Sequence, residues 1–416
     1  MRVVSNIFSI FAAGILPLNL AIRRTMRKIK VNEDMKHSFK RVPNDACIGG
    51  IGCAVSEFAG AALKGICVFR TLVLVAAMVI GAASASAQEA VEIGNFEDLV
   101  GACGDSESGD EGNFKLTADI AGGSDFYVMR SLTLDLNGHS ITINEGNCFN
   151  IYDGKTLTIV DNSTGGPKGS VNNTAEDGGD AINITSGGGF SATGISITST
   201  YECAVNNGGG TATLTGCTLS GSRGLINSGT ATVTGGTISV TETAIQNDGG
   251  TVSINTGDSP AACTINGGIN GISNRFGGTV TIGPDVSIKT CSAVGIANSD
   301  GTLTLNAWPT FGAGGEANGS DIWLFQGKKI AFGADITAAP TQKITVRVTD
   351  NNENDLGADD LPATFTDGYA AKVKDGDNNV INPAKVFTYY DSSRLLGVRL
   401  DPQIQFRFFL GPLQHT

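Results

Sequence analysis

The chain has 416 residues, 57 of them Gly and only 6% aromatic, with 28 Lys/Arg against 40 Asp/Glu for a formal net charge of −12. Such a composition suits tight corners and a thin core, and argues against a broad globular interior. Through Ala87 there are 11 basic and 4 acidic residues; beyond it 17 basic face 36 acidic, a balance of −19 that argues against nucleic acid, anionic lipid or polyanionic sugars as partners of the main body.

Taken in chain order, residues 1–34 carry a weak apolar stretch from Ile7 to Ile22 and read as a start assigned too far upstream, with Met35 the preferred start. The apolar run Thr71 to Ala83, preceded by Lys64 and Arg70 and followed by Ala85-Ser86-Ala87, has the three parts of a secretory signal, so cleavage is expected after Ala87. The run is too short for a membrane anchor. Residues 88–130 read as an N-terminal cap, with a one-turn helix starting at Phe96, an acidic loop from Asp105 to Glu111 and a strand at Phe114 to Thr117. Such a cap would cover a coil edge that otherwise offers unpaired backbone groups to other chains.

From Ser131 to Phe311 one short phrase recurs: an aliphatic residue and an Asn, a glycine turn, an alternating Thr/aliphatic run, a second turn. Between Ala181 and Asn298 its leading aliphatics fall at Ile182, Val205, Ile226, Ile245, Ile272 and Ile296, spacings of 23, 21, 19, 27 and 24 residues. A period of that length with strands of about four residues predicts a solenoid, since a single coil cannot bury its own apolar face but a stack can. The fold class is therefore all-β: a single-stranded right-handed parallel β-helix over 131–311, about eight coils and roughly 40 Å long at ~4.8 Å per coil. Right-handed is preferred because coil length varies, whereas the left-handed hexapeptide form keeps a strict repeat. After Phe311 the phrase loses its Asn, and residues 312–400 read as a β-rich C-terminal module with strands at Asp321, Lys329, Lys343 and near Leu396. Residues 401–416 form an irregular tail.

Two stretches carry a resemblance. The chain from Met35 holds Lys36, Lys40, Arg41 and Asn44 ahead of Ala54-Val55-Ser56-Glu57-Phe58-Ala59, and resembles the extended signal-peptide region of type V secretion; Pro43 and the Cys47-Ile-Gly-Gly insertion depart from that pattern. The coil Ser131 to Ile143, SLTLDLNGHSITI, resembles a phrase of bacterial β-helical surface proteins, and the order of strands after Phe311 looks like their closing module. The resemblance implies an autotransporter-like, adhesin-like passenger of a Gram-negative bacterium, located at the cell surface or secreted. It also implies an outer-membrane translocator, for which this chain offers no run of amphipathic barrel strands. The partner implied is a cell-surface protein or glycan.

Candidate chemistry is sparse. Polysaccharide lyases and hydrolases of this architecture need acids and a base on one flank, and sugar hydrolysis needs two carboxyls some 5 to 9.5 Å apart. The basic residues of 131–311 are Lys155, Lys168, Arg223, Arg275 and Lys289, scattered over different coils, and the best acidic group is Glu176, Asp177 and Asp180 in a glycine-rich corner. No catalytic residue, metal ligand or cofactor is assigned, and a secreted carbohydrate-active enzyme is the alternative reading. His139 reads as a surface corner residue. The recurring Asn183, Asn206, Asn227, Asn247, Asn274 and Asn298 read as a structural ladder of stacked side-chain amides at a corner that tolerates left-handed backbone.

Of six cysteines after Ala87, Cys217 and Cys263 hold similar places but have the Gly236 coil between them, about 9.6 Å along the stack, too far for a bridge. Cys103 with Cys148 is the pair left open, and the six read mainly as buried thiols. Asp350, Asn352 and Asn354, and again Asp375, Asp377 and Asn379, alternate oxygen ligands but lack the Gly and Glu of a helix-loop-helix calcium loop.

Overall fold

The computed structural model describes residues 89–104, 112–257, 260–312, 320–325, 327–350 and 365–389. The chain divides into two units, Met1–Ala87 and Gln88–Thr416, and the described residues all belong to the second. The signal segment, the acidic loop 105–111, Asn352, Asn354, the strand expected near Leu396 and the tail lie outside them.

The described unit is a parallel β-solenoid of about 11 turns. One sheet of twelve strands runs its whole length, from Val91–Ile93 through Thr211–Thr215, Thr230–Thr234 and Thr251–Ile254 to Thr366–Asp367, each strand paired in parallel with those of the coils before and after. A second sheet of eighteen strands supplies two further faces of the coil. The two are joined by strands that bend from one face to the other, Ser196–Asn207 and Thr218–Asn227, with a register shift between Ser199 and Cys203. At that bend Gly221 has φ of 125°, and a Cβ there would lie 1.7 Å from the Ser199 carbonyl oxygen of the coil below.

Period-two alternation decides which side chains face inward. Along the first sheet Leu134, Ile159, Ala192, Leu214, Val233, Ile254, Ile282 and Leu305 stack in one buried column. On the second face Ile141, Val171, Ile197, Leu219, Ile238, Ile265 and Ile288 do the same. Backbone pairing from coil to coil and these narrow aliphatic columns hold the stack, so each coil depends on its neighbours.

The solenoid extends beyond the limits read from the repeat. Within 88–130, Val91–Ile93 pairs with Gly112–Leu116, which pairs with Leu132–Asp135, so the cap residues already form coil rungs. The helix there spans Phe96–Gly104, nine residues instead of one turn, and buries Leu99, Ala102 and Cys103. Past residue 311, Ser320–Phe325, Ile330–Phe332, Ile344–Thr349 and Phe387–Tyr389 continue the parallel pairing. The reason is that pairing between coils is made by backbone groups, which need no Asn; where the phrase loses its Asn, Leu324 and Val348 take the same inward column.

Candidate functional site

The asparagines fall into two columns. Asn207, Asn227, Asn247, Asn274 and Asn298 occupy consecutive coils at the inward position closing the third face, all fully buried. Each Nδ2 donates to the next Oδ1, at 2.7, 2.8, 2.9 and 2.8 Å in turn. The same amides reach the turn that follows: Asn207 to the Gly210 oxygen at 3.1 Å, Asn247 to the Gly250 oxygen at 2.8 Å. They also reach the first threonine of the next coil's row, Asn207 to Thr230 O at 3.1 Å and Asn274 to Thr302 O at 3.1 Å. A buried amide spends its donors and acceptor fully here, which is the condition for burying one.

Two of the asparagines expected in this ladder are not in it. Asn183 and Asn206 pair with each other one position earlier, on the outward side, and there Asn183 donates to Asn150 at 2.8 Å and Asn206 to Asp180 at 2.8 Å. The inward partner of Asn207 in the coil below is Ile184. Left-handed backbone is likewise elsewhere, at Asn137, Asn255 and Asn378 among the asparagines, and none of the ladder residues has positive φ. Sequence reading missed Asn207 and also Asn255, a buried corner residue that accepts from Gly235 N at 2.7 Å and donates to Ala261 O at 2.9 Å.

The acidic corner resolves differently from its sequence spacing. Glu176 and Asp177 are exposed, whereas Asp180 is 9% exposed and shares its surroundings with Glu202 and Cys203, whose ligand atoms and its own lie within 4.8 Å of one another. Those groups are already engaged: Asp180 accepts from Cys203 N at 3.2 Å and from Asn206, and Glu202 pairs with Arg223 at 2.6 Å. Burial pushes the Cys203 thiol well above its usual range, which makes it a poor nucleophile at neutral pH. Arg275 pairs with Asp248 at 2.8 Å, and Lys168 reaches Asp161 at 3.5 Å. His139 stands 3.4 Å from Asp119.

All six cysteines of this unit are free and buried, Cys103 and Cys148 included. Asp375 accepts from Asn379 N at 2.8 Å and Asp377 N at 3.0 Å, the hydrogen bonds of a capped turn.

The outward side of the first sheet is the most regular surface. Five consecutive rows, Thr211–Thr213, Thr230–Thr232, Thr251–Ser253, Thr279–Thr281 and Thr302–Thr304, pair residue for residue without a shift, so their outward side chains form two continuous columns of hydroxyl residues. From Thr156 to Leu305 the strands of this sheet carry no charged and no outward aromatic side chain. Among the described residues the Thr hydroxyls of the five rows have no hydrogen-bond partner, whereas on the second face Thr198 and Ser220 bond each other at 2.8 Å and Ser170 bonds Ser140 at 3.1 Å.

No family model, no curated protein and no solved structure matches the chain.

The geometry therefore gathers one repeated, uncharged hydroxyl flank, while Asp180 accepts from the Cys203 N–H and from Asn206, and Glu202 pairs with Arg223.

Proposed function

We propose that the chain is an exported, non-enzymatic β-helical passenger that works by presenting the flank of its rod to a surface outside the cell. The observation that carries this is the five-row hydroxyl array on an otherwise acidic body, where the same outward pattern returns coil after coil. The signal-like run ending at Ala87 and the type V-like segment before it support the exported location. Corner loops such as 165–179 add further contact surface at the rod's edge. Under this reading a translocator, in the same reading frame or a separate one, carries the passenger across the outer membrane.

Expression in a Gram-negative host with its own downstream frame tests it. The mature N-terminus, read by mass spectrometry, is expected at Gln88, and protease added to intact cells is expected to remove the rod. A rod protected inside intact cells, or release of reducing or unsaturated sugars from a polysaccharide panel, would overturn the reading, the latter in favour of a carbohydrate-active enzyme.

A further inference from the structure

We propose that the five-row threonine array of the first sheet binds the surface of ice. This deepens the display reading, on which it rests for placing the array outside the cell, and names the ligand of that flank.

The argument starts from spacing. Neighbouring coils repeat every ~4.8 Å, and alternate residues along one strand repeat every ~6.7 Å, so the array is a two-dimensional net of hydroxyl and methyl groups. Hydrogen-bonded water oxygens sit about 2.75 Å apart. With tetrahedral angles, second-neighbour oxygens in ice then lie about 4.5 Å apart and the two-layer repeat is about 7.3 Å, both within about a tenth of the protein's net. Unbroken register over the rows from Thr211 to Thr304 carries both columns through five coils, so the match is repeated from coil to coil.

Side-chain chemistry points the same way. Nine of the ten outward positions are Thr and the tenth is Ser253. A β-branched side chain in a strand has little χ1 freedom, so each hydroxyl and methyl is pre-oriented and little entropy is lost on docking. Among the described residues no hydrogen bond engages these Thr hydroxyls, so they can enter an ordered water layer, whereas on the second face Thr198 bonds Ser220 and Ser170 bonds Ser140. No charge on these strands would have to shed a hydration shell against a neutral lattice. The absence of outward aromatics on the same strands leaves no ring platform for stacking on a sugar, which disfavours crystalline cellulose or chitin as the ligand. The buried ladder reinforces the net from beneath, since Asn207, Asn227, Asn247 and Asn274 each bond the carbonyl of the first threonine in the row above.

The test uses the full chain as exported and purified, with ice-crystal shaping and the gap between melting and freezing points as readouts. The wild-type protein is expected to facet ice crystals and open a measurable gap. Thr232→Lys, at the middle of the array, is expected to shrink the gap by roughly tenfold, because a central contact carries more than its share of an interface, while Thr198→Lys on the second face leaves it unchanged. Thr281→Ser and Thr281→Val, both isosteric enough to fold, are each expected to narrow it, one by losing the methyl and the other the hydroxyl. Circular dichroism melts confirm that each variant is folded. A folded wild-type protein that leaves ice unshaped, or a Thr198→Lys effect equal to that of Thr232→Lys, would overturn the proposal. Retention on crystalline cellulose or chitin without ice shaping would overturn it in favour of a glycan. Failure here with the rod still displayed on cells leaves the passenger reading standing, and ice shaping by a chain that is never exported removes that reading but supports this one.

Discussion

Replacing Asn227 with Ala isolates the buried amide ladder. Asn227 accepts from Asn207 at 2.7 Å and donates to Gly229 O at 3.0 Å, Asn247 Oδ1 at 2.8 Å and Thr251 O at 3.3 Å. Truncation affects these unequally. The Asn207 amide keeps Gly210 O and Thr230 O at 3.1 Å each, and Gly229 O still accepts from Thr251 N at 2.8 Å. The Asn247 Oδ1, in a residue with no exposed surface, loses its donor. An orphaned buried acceptor costs about 1–3 kcal/mol and each lost net hydrogen bond about 1 kcal/mol, so a total of about 2–4 kcal/mol is expected. With an unfolding entropy of ~2.1 cal/mol/K per residue over about 270 described residues, that lowers the melting temperature by roughly 4–7 °C. Asn206→Ala is the control: it removes one half-exposed bond to Asp180 on the outward column and is expected to cost less than ~1 kcal/mol. Thermal melts followed by circular dichroism decide between them. If Asn227→Ala melts with the wild type, or no lower than Asn206→Ala, the ladder does not stabilise the stack.

Burial raises the Asp161 carboxyl, but hydrogen bonds from the Ser163 hydroxyl and from the backbone N–H groups of Gly169, Ser163 and Gly138 outweigh it and hold the group down at about 2. A carboxyl held below its ordinary value contributes stability that is full above about pH 4 and is lost as pH falls toward 2, here of the order of 1–2 kcal/mol after allowing for solvent screening. Melting temperatures of wild type and Asp161→Asn should therefore converge across that window; parallel curves would refute the assignment. Burial pushes the Cys103 thiol up to about 12 and Cys263 to about 11, so the six thiols beyond Ala87 should resist iodoacetamide at pH 8 until the protein is unfolded. Rapid native labelling of any of them, mapped by mass spectrometry, would contradict their burial. Gly221→Ala should cost more than ~2 kcal/mol or abolish folding, because both the positive φ and the 1.7 Å approach to Ser199 O forbid a Cβ; a soluble variant with wild-type melting would show that the bend can relax.

The repeat announced the coil because its two signals are local: glycine at corners and alternation in strands. The rung positions of the first sheet could be read directly, since Thr232-Val233-Thr234 and its equivalents alternate cleanly. The third face could not. Aligning Val205 with Ile226 sets Asn206 beside Asn227, but the structure pairs Val205 with Leu225 and Asn206 with Ile226. A slip of one residue in a period of two moves a side chain from core to solvent, and the tandem Asn206-Asn207 offered no local sign of which faced inward. A rule of aliphatic plus two would have found every rung, because Val205, Leu225, Ile245, Ile272 and Ile296 each precede a ladder Asn by two residues. The ends of the solenoid were hidden for a different reason: strands such as Ile330–Phe332 pair by backbone alone and need none of the Asn or Thr that marks the central coils.

The ladder and the threonine net occupy the same five coils, and that coincidence has a physical reading. In the column that holds Asn207 to Asn298, the coil below carries Ile184 and the coil above Leu324. The rows that follow those two residues are Gly189–Thr193 and Ile330–Phe332, which lack the paired threonines; Thr156–Val160 is the one further row with a Thr pair, and it follows Ile151. An aliphatic residue thus suffices to fill the column, so the amides add something besides packing. What they add is a bond to the turn and to the first threonine of the row above, which pins where each row begins. Asn247→Leu keeps the column filled while removing the amide's bonds to the Gly250 and Thr279 carbonyls and to Asn274 Oδ1; Gly250 O keeps the Thr279 N–H at 2.8 Å. Hydrogen exchange is expected to quicken in the turn 248–250 and at Thr279, while the second-face strands Gly236–Val240 and Cys263–Asn266 keep their protection. Exchange that rises equally on all faces would mean that the amides serve the stack as a whole, and that the threonine rows take their register from backbone pairing alone.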